Sequence, residues 1–233
     1  MGNDLNSNNK ALFKSFIPKY VPNETALKFF NILRKASKGN KNKFPNNLPQ
    51  NLKNFGNHKK TIAKNQGFIE DQHSYTDMNY GNKTLNYCGC AVISTYNAIF
   101  DLTGNKEISL PILIDYFEND GIVLSGIFGT APTAIEDFFV NQGFETGSTI
   151  KEEDYFLFGQ KYDSFIFTFY VNKNNILNQV HVVNISKKNQ KFYVHNNGGN
   201  SYLIQYNSIL DFIKRENNGK SKGIFLIGIK KQK

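Results

Sequence analysis

Cysteine is scarce in this sequence, since 233 residues include only Cys88 and Cys90, with one residue between them. Two cysteines at this spacing cannot build a disulfide framework, which excludes the small disulfide-rich secreted scaffolds and suits a reducing cytosol. Long apolar runs are also missing, because none approaches the roughly 18 residues that a membrane-spanning helix needs. The first residues lack the apolar core of a signal peptide. We therefore expect a cytoplasmic protein without a membrane span, or one that a dedicated secretion system exports.

Acidic residues are scarce in the first 65 positions, which hold 13 Lys and Arg but only Asp4 and Glu24. The whole chain has a net charge of +9, so the remainder is slightly acidic. A basic segment can favour nucleic acid, anionic membranes or acidic proteins. Its aromatic residues fall at helix-like spacing, however, which favours packing onto the core over nucleic-acid binding. We predict a basic, Asn- and Lys-rich arm with short helices over residues 1–65 and one compact domain over residues 66–233.

The apolar residues follow a helical pattern in the first half of the chain and a strand pattern in the second. Predicted helices cover residues 23–36, 90–102, 109–119, 132–142 and 208–215. Predicted strands cover residues 164–171, 179–185, 191–195, 202–206 and 223–230. Residues 37–65, which include several Gly, Pro and Asn, are predicted to form an extended linker or a loosely attached arm. Helices followed by an antiparallel sheet indicate the α+β class. The helix over residues 90–102 is apolar on nearly all faces, so we expect it to be buried.

The segment Cys88-Gly89-Cys90 lies at the start of this buried helix. A helix N-terminus lowers the pKa of a thiol through its dipole and its unpaired N–H groups, which favours the nucleophilic thiolate. Gly89 permits a tight turn that places Cys90 at the first helical position. The backbone N–H of Cys90 can then also stabilise an oxyanion. The alternative interpretation is a small buried apolar residue, the usual role of free cysteine.

A candidate base for such a nucleophile is His181, which lies in an otherwise apolar predicted strand. A histidine there is either a core residue or a functional group at the edge of a cleft. The neighbouring strand ends in Asn196 and Asn197. A carboxamide at that point can accept a hydrogen bond from the imidazole and fix its tautomer, as in a catalytic triad. We predict Asn196 in this role, with Asn197 as the alternative.

The order Cys90, His181, Asn196, with the cysteine opening a buried helix and the other two on strands, resembles the papain-like cysteine peptidases. Within that clan, residues 75–230 are most similar to the bacterial peptidases that remove double-glycine leaders from bacteriocins. The resemblance implies a papain-like fold, peptide-bond cleavage by a Cys-His-Asn triad, and no metal or organic cofactor. The matching segments are Gly89 to Ala98, Gly126 to Pro132, Val180 to Val183, and Tyr193 to Asn196.

The nucleophile and the orienting residue depart from the pattern of that branch. Cys-Gly-Pro is common there, so Cys88 is an alternative nucleophile. We prefer Cys90, because Asn97 then lies seven residues into the helix, where relatives often carry an asparagine. The orienting residue of the branch is an aspartate, whereas Asn196 stands here, as in papain itself.

The oxyanion-stabilising glutamine of the family is also missing from its usual place before the nucleophile. Thr84 occupies that neighbourhood. Asn86 would supply the oxyanion donor in its stead, with Asn82 as the alternative. Gly126 and Gly129 are predicted to form a tight turn that borders the cleft, since the segment lacks the Gly-Lys-Ser/Thr text of a phosphate-binding loop.

The resulting expectation is a cysteine peptidase that acts on a peptide or protein, in a layout that also suits a bacterial toxin or effector domain held by an inhibitory or immunity protein. The same fold also supports glutamine deamidation and acyl transfer. A different class of function is a non-catalytic binding module with a nucleic-acid-binding arm. A zinc site is a further alternative, although one residue between two cysteines is an uncommon spacing for zinc. Its four ligands would be Cys88, Cys90, His181 and His195.

Overall fold

The computed structural model describes residues 21–38, 43–104, 109–173, 180–198 and 203–230 of the chain. Helices and strands both occur along these ranges, and the predicted α+β class is confirmed. The α-helices are α1 (Asn23–Ser37), α2 (Asn47–Phe55), α3 (Lys59–Lys64), α4 (Leu85–Cys88), α5 (Cys90–Thr103), α6 (Leu110–Asn119), α7 (Pro132–Asn141), α8 (Tyr155–Lys161) and α9 (Ile209–Arg215). The strands are β1 (Asn79–Tyr80), β2 (Lys83–Thr84), β3 (Thr146–Thr149), β4 (Ser164–Tyr170), β5 (Val180–Lys188), β6 (Lys191–His195) and β7 (Lys222–Ile229).

A five-stranded antiparallel sheet forms the centre of the molecule, in the order β3-β7-β4-β5-β6. Every residue of β4 is buried, and so is nearly all of β7, because helices cover both faces of the sheet. One face packs against α5, α6 and α7 in the larger apolar cluster. The other face packs against α8 and α9. Burial on both faces explains why these two strands read as continuous apolar runs.

Helix α5 lies against the sheet beside the first residues of β5. Strand β6 pairs with β5 from Asn184 onward, which leaves the preceding residues of β5 beside the helix. There the hydroxyl of Ser94 donates to the carbonyl of Val182 at 2.9 Å. One turn further on, the carboxamide of Asn97 exchanges two hydrogen bonds of 2.8 Å with the backbone of Ile69. These contacts fix the helix between β5 and the segment that begins at Phe68.

Residues 47–64 are helical, so the expectation of an extended linker was wrong for this part of residues 37–65. Three asparagines at helical spacing, Asn47, Asn51 and Asn54, donate from their carboxamides to backbone carbonyls at and just before the β1–β2 hairpin, at 2.6 to 3.0 Å. Asn47 also donates to the carboxylate of Glu118 at 2.6 Å. Burial raises the pKa of Glu118 to about 7. The asparagines that suggested a linker therefore form the face of α2 that binds the β1–β2 hairpin.

Helix α1 is also attached to the core, because Ala26 and Phe30 are buried in the same cluster as α5. Its residue Arg34 forms ion pairs with Asp120 at 3.0 Å and Asp137 at 2.7 Å. Aromatic packing of the basic segment onto the core was the expected arrangement, and Phe30 follows it. The separation of residues 1–65 from the rest as a domain of its own stays a prediction.

Four of the five predicted strands match β4, β5, β6 and β7 to within a few residues. The fifth is reduced to one bridge between Tyr206 and Phe192. Gln179 and Tyr202, at the ends of two predicted strands, lie outside the described residues. Strand β3 was not predicted, since its sequence Thr-Gly-Ser-Thr carries no apolar alternation. Among the described helices, none has the length and apolar character to span a membrane.

Candidate active site

A sharp turn between two helices presents the two cysteines. Cys88 ends α4, Gly89 follows, and Cys90 begins α5. A Cβ atom on Gly89 would lie 2.6 Å from the carbonyl oxygen of Leu85 and 2.5 Å from its side chain, so only glycine fits. The turn therefore places Cys90 at the first position of the helix, as the sequence predicts.

Cys90 is a half-buried residue, and its thiol lies against the backbone of β5. Burial raises its pKa, while the N–H groups of Val182, Ala91 and Cys90 itself act in the opposite direction by stabilising the thiolate. The expectation of a lowered thiol pKa was therefore wrong, because the start of α5 packs against β5 and the thiol is buried there. The contact with Val182 places the sulfur beside the residue that follows His181.

Cys88 has a different environment. It is 5% exposed, and its sulfur contacts the carbonyl oxygens of Thr84 at 3.6 Å and Tyr80 at 4.0 Å. Burial and the neighbouring Cys90 raise its pKa to about 12. A buried thiol of this kind is a poor nucleophile. As a residue, Cys90 is the more exposed of the two cysteines.

His181 is half-buried on β5, with its ring edge-on to Phe169 at a centroid distance of 5.8 Å. Its Nε2 donates to the backbone carbonyl oxygen of Asn196 at 2.8 Å, which makes Nδ1 the nitrogen that can accept a proton. Burial lowers the pKa of His181, the carbonyl of Asn196 raises it, and the nearby His73 lowers it further. The imidazole is therefore held neutral, with a defined tautomer.

Asn196 meets His181 with its backbone and not with its carboxamide. The carboxamide pairs with Gln72, accepting from its N–H at 3.0 Å and donating to its side-chain oxygen at 3.2 Å. Asn196 adopts a left-handed conformation with φ of 63°, which turns its carbonyl toward the imidazole. The predicted residue is thus in place, but a different acceptor atom does the orienting. Asn197 donates to Glu216 at 2.9 Å, so its carboxamide is engaged elsewhere.

Asn86 lies on α4, one turn before the nucleophile. Its side-chain oxygen accepts from the hydroxyl of Thr84, and its backbone carbonyl accepts from the side chain of Gln72 at 3.2 Å. The first bond engages the carboxamide oxygen, so the NH₂ group is the donor that this side chain has left to offer. The alternative donor Asn82 is exposed on the β1–β2 turn. A cavity of about 470 Å³ adjoins this region, and its lining does not include Cys90 or His181; it is formed by Asn47, Asn79, Gly81, Asn82, Lys83, Thr84, Asn86 and Tyr87.

The glycine-rich turn over residues 124–129 packs on the cysteine turn. A Cβ atom at Gly126 would lie 2.8 Å from the carbonyl of Tyr80 and 3.4 Å from the sulfur of Cys88. A Cβ atom at Gly129 would lie 3.1 Å from the carbonyl oxygen of Cys88. The turn therefore borders the candidate site, as its sequence suggests. It carries the exposed apolar side chains of Ile127 and Phe128.

Three residues of the buried polar network behind the site were missed at the sequence level, namely Glu70, Gln72 and Ser186. Glu70 and Gln72 follow a short apolar stretch, and a buried carboxyl group there bonds His195 at 2.7 Å. Ser186 bonds the other nitrogen of the same ring at 2.9 Å. A carboxylic acid directly after the apolar pair Phe68-Ile69 was the only local signal. Outside this network, His58 stacks on Tyr75 and pairs with Asp77 at 2.7 Å.

The zinc alternative is not supported by the geometry. Within the ranges that the structure describes, no group of three or more His, Cys, Asp or Glu side chains is placed to hold a metal ion. His195 is occupied by Glu70 and Ser186, away from the two cysteines.

Comparisons with protein-family models, with curated proteins and with solved structures find no significant match for this chain.

Proposed function

We propose that the protein is a papain-like cysteine hydrolase that cleaves peptide or other amide bonds. One observation carries the proposal: the sulfur of the half-buried residue Cys90, at the start of α5, lies against the backbone N–H of Val182, next to His181 on β5. His181 is in turn oriented by a hydrogen bond of 2.8 Å to the carbonyl of Asn196. A nucleophile, a base and an orienting acceptor are the elements that acyl transfer requires.

The pKa directions favour a neutral resting pair. Burial raises the pKa of Cys90 and lowers that of His181, so thiol and imidazole are both uncharged near neutral pH. Cys90 then attacks the substrate carbonyl as Nδ1 of His181 takes its proton, which forms a C–S bond and an imidazolium. The carbonyl of Asn196 stabilises this imidazolium through Nε2–H.

The remaining steps return the proton. The oxyanion of the tetrahedral intermediate accepts from the backbone N–H of Cys90 and from the carboxamide of Asn86. Collapse breaks the C–N bond, and the imidazolium gives its proton to the leaving amine. Water, deprotonated by His181, then hydrolyses the thioester and releases the carboxylic acid. No metal or organic cofactor takes part in these steps.

The surroundings of the site favour a peptide or protein substrate. Tyr87 next to the cysteine turn and Ile127 and Phe128 on the glycine-rich turn are exposed apolar groups that an extended peptide can cover. Four of the eight residues that line the open cavity beyond Asn86 are asparagines, and Lys83 also lines it. This combination suits a peptide with one apolar side chain followed by a polar or acidic one.

The first test is active-site labelling. The protein is treated with the epoxide E-64, and the adduct is mapped by mass spectrometry in wild type, Cys90→Ala, Cys88→Ala and His181→Ala. We expect labelling at Cys90 that persists in Cys88→Ala and is lost in His181→Ala. Labelling confined to Cys88, or labelling of Cys90 at an unchanged rate in His181→Ala, would contradict the proposal.

The reaction class is tested with a library of peptides derived from a bacterial proteome. Wild type is expected to generate cleaved products that Cys90→Ala does not generate, while both proteins unfold at nearly the same temperature. Deamidated or acylated peptides without cleavage would replace the peptidase assignment by the corresponding transfer reaction at the same cysteine. A toxin or effector role predicts that wild type slows the growth of an expressing cell and that Cys90→Ala does not. Equal growth of both strains would exclude that role.

A further inference from the structure

A buried polar chain lies behind the candidate site, on the side of the sheet covered by the segment from Phe68 to Gln72. Glu70 and His195 are each only 4% exposed, and Ser186 is fully buried. Nδ1 of His195 lies 2.7 Å from one carboxyl oxygen of Glu70, and its Nε2 lies 2.9 Å from the hydroxyl of Ser186. The ring of Phe68 stacks on His195 at a centroid distance of 3.8 Å. Ser186, His195 and Glu70 are hydrogen-bonded to one another in the same sequence as the serine, histidine and carboxylate of a hydrolytic triad. Ser186 is buried, however, so it cannot react with a substrate from outside.

The second oxygen of Glu70 reaches the candidate site. It accepts from the backbone N–H of Asn196 at 3.3 Å, and the carbonyl of that same residue accepts from His181 at 2.8 Å. The N–H and the C=O flank one Cα atom, which is held in the left-handed conformation. A non-glycine residue keeps that conformation only when its surroundings fix it, although asparagine tolerates it better than most. Glu70 supplies one of those fixed points, and Gln72 supplies the other.

We propose that Glu70 is a positioning residue for His181, acting through the backbone of Asn196. The proposal rests on the hydrolase function above for its effect on rate, but its structural part does not depend on that function. Glu70 does not touch the reacting atoms. It holds the end of β6 so that the carbonyl of Asn196 faces Nε2 of His181, which leaves Nδ1 free to serve Cys90.

The chemistry of the carboxyl group makes a sharp test possible. A carboxylate only accepts hydrogen bonds, so both His195 and Asn196 must donate to it. A glutamine at position 70 can still satisfy both neighbours: its oxygen accepts from Asn196, and its NH₂ donates to the other tautomer of His195. That tautomer then donates from Nε2 to Ser186. A positioning role by hydrogen bonding therefore survives Glu70→Gln and is lost in Glu70→Ala.

The experiment compares Glu70→Ala, Glu70→Gln and Ser186→Ala with wild type. Ser186→Ala is the matched control, because it removes the far end of the chain and leaves the contact between Glu70 and Asn196 intact. Two readouts are used: the second-order rate of Cys90 labelling by E-64, and the ¹⁵N chemical shifts of the His181 ring, which report its tautomer. We expect Glu70→Ala to lower the rate by up to about 100-fold, as displaced catalytic groups do, and to mix the His181 tautomers. Glu70→Gln and Ser186→Ala should stay within a few-fold of wild type and keep the Nε2–H tautomer.

Other outcomes have separate meanings. Glu70→Ala with wild-type rate and wild-type His181 shifts, or Ser186→Ala with a loss as large as that of Glu70→Ala, would overturn the positioning role. A loss in Glu70→Gln equal to that in Glu70→Ala would overturn it as well, because charge and not geometry would then be required. If Glu70→Ala does not fold, Glu70→Asp replaces it, since a side chain shorter by one methylene cannot reach both donors. Absence of any Cys90-dependent reaction would remove the proposed function, while the His181 shifts would still decide the role of Glu70.

Discussion

The two histidines of the sheet, His181 on β5 and His195 on β6, are used in opposite ways. Both nitrogens of His195 are engaged, by Glu70 at 2.7 Å and Ser186 at 2.9 Å, and its ring face is covered by Phe68. His181 donates from Nε2 to the carbonyl of Asn196 at 2.8 Å, and the function proposed above uses its Nδ1 as the base for Cys90. Both ring nitrogens of His195 therefore have partners, whereas the proposed function requires one nitrogen of His181 for catalysis.

This difference follows from where β6 ends. Strand β6 pairs with β5 from Asn184 to Lys188, so His195 lies inside the ladder while His181 lies beyond it. The chain then turns at Asn196, whose backbone returns to both histidines: its N–H bonds the carboxyl group that holds His195, and its C=O bonds His181. We therefore expect the loss of His195 to lower stability and the loss of His181 to lower activity.

The largest effect on Cys90 labelling is expected from removing His181. His181→Ala deletes the base, so E-64 labelling of Cys90 should fall by about 10²–10⁴-fold, the usual contribution of general acid–base catalysis. The thermal midpoint should fall modestly, because the buried carbonyl of Asn196 loses its hydrogen bond but no buried charge is left behind. The rate is measured by mass spectrometry, with His73→Ala as the matched control for a nearby exposed imidazole. A His181→Ala protein that labels as fast as wild type would remove the distinction between the two histidines.

Removing His195 should lower the stability of the protein instead. His195→Ala leaves the carboxyl group of Glu70 buried without its ring partner, and breaking a buried pair in this way costs about 3–5 kcal/mol of unfolding free energy. The measurement is urea denaturation at neutral pH. His58→Ala is the control, because His58 pairs with the more exposed Asp77, so its loss leaves no buried charge and should cost less than the loss of His195. Equal losses in the two variants would mean that the Glu70–His195 pair adds nothing beyond a surface contact.

The pH dependence of Cys90 alkylation distinguishes a neutral pair from an ion pair. Burial raises the thiol pKa, so the thiolate is absent near neutral pH and forms only as the pH rises above the range of an ordinary thiol. Iodoacetamide labelling between pH 5 and 9 should therefore increase continuously toward the alkaline end. An ion pair with His181 would instead give a reactive plateau on the acid side. Such a plateau, lost in His181→Ala, would show that the pair is charged at rest.

Local sequence patterns were sufficient for most of the fold and for the first residues of the site. The apolar runs located β4, β5, β6 and β7, and Gly89 before a buried helix located Cys90. The error on the thiol pKa has a physical origin, because the dipole of a helix is a local property, whereas burial under β5 is set by the fold. Likewise, the carboxamides of α2 bind a hairpin more than 20 residues away in the chain, which no local pattern reveals.

The second layer of the site lay beyond sequence analysis for the same reason. Glu70 and His195 are separated by 125 positions, and Gln72 and Asn196 by 124. Each residue has an ordinary local setting: a carboxyl group after an apolar pair, and an asparagine after a strand. Only the fold reveals that they meet, and only atomic positions distinguish the carboxamide of Asn196 from its carbonyl.

The smallest effect is expected at Asn196, and it separates that carbonyl from that carboxamide. Asn196→Gly removes the two hydrogen bonds to Gln72 but keeps the carbonyl, and glycine adopts the left-handed conformation without strain. Labelling of Cys90 should then fall only a few-fold, with a loss of about 1–2 kcal/mol in stability from the missing bonds. Asn196→Ala is the control, since alanine strains at a φ of 63° and should displace the carbonyl as well. If Asn196→Gly were as inactive as His181→Ala, the carboxamide and not the backbone would orient the base. His181 would then be oriented by the side chain of Asn196, as in a papain triad.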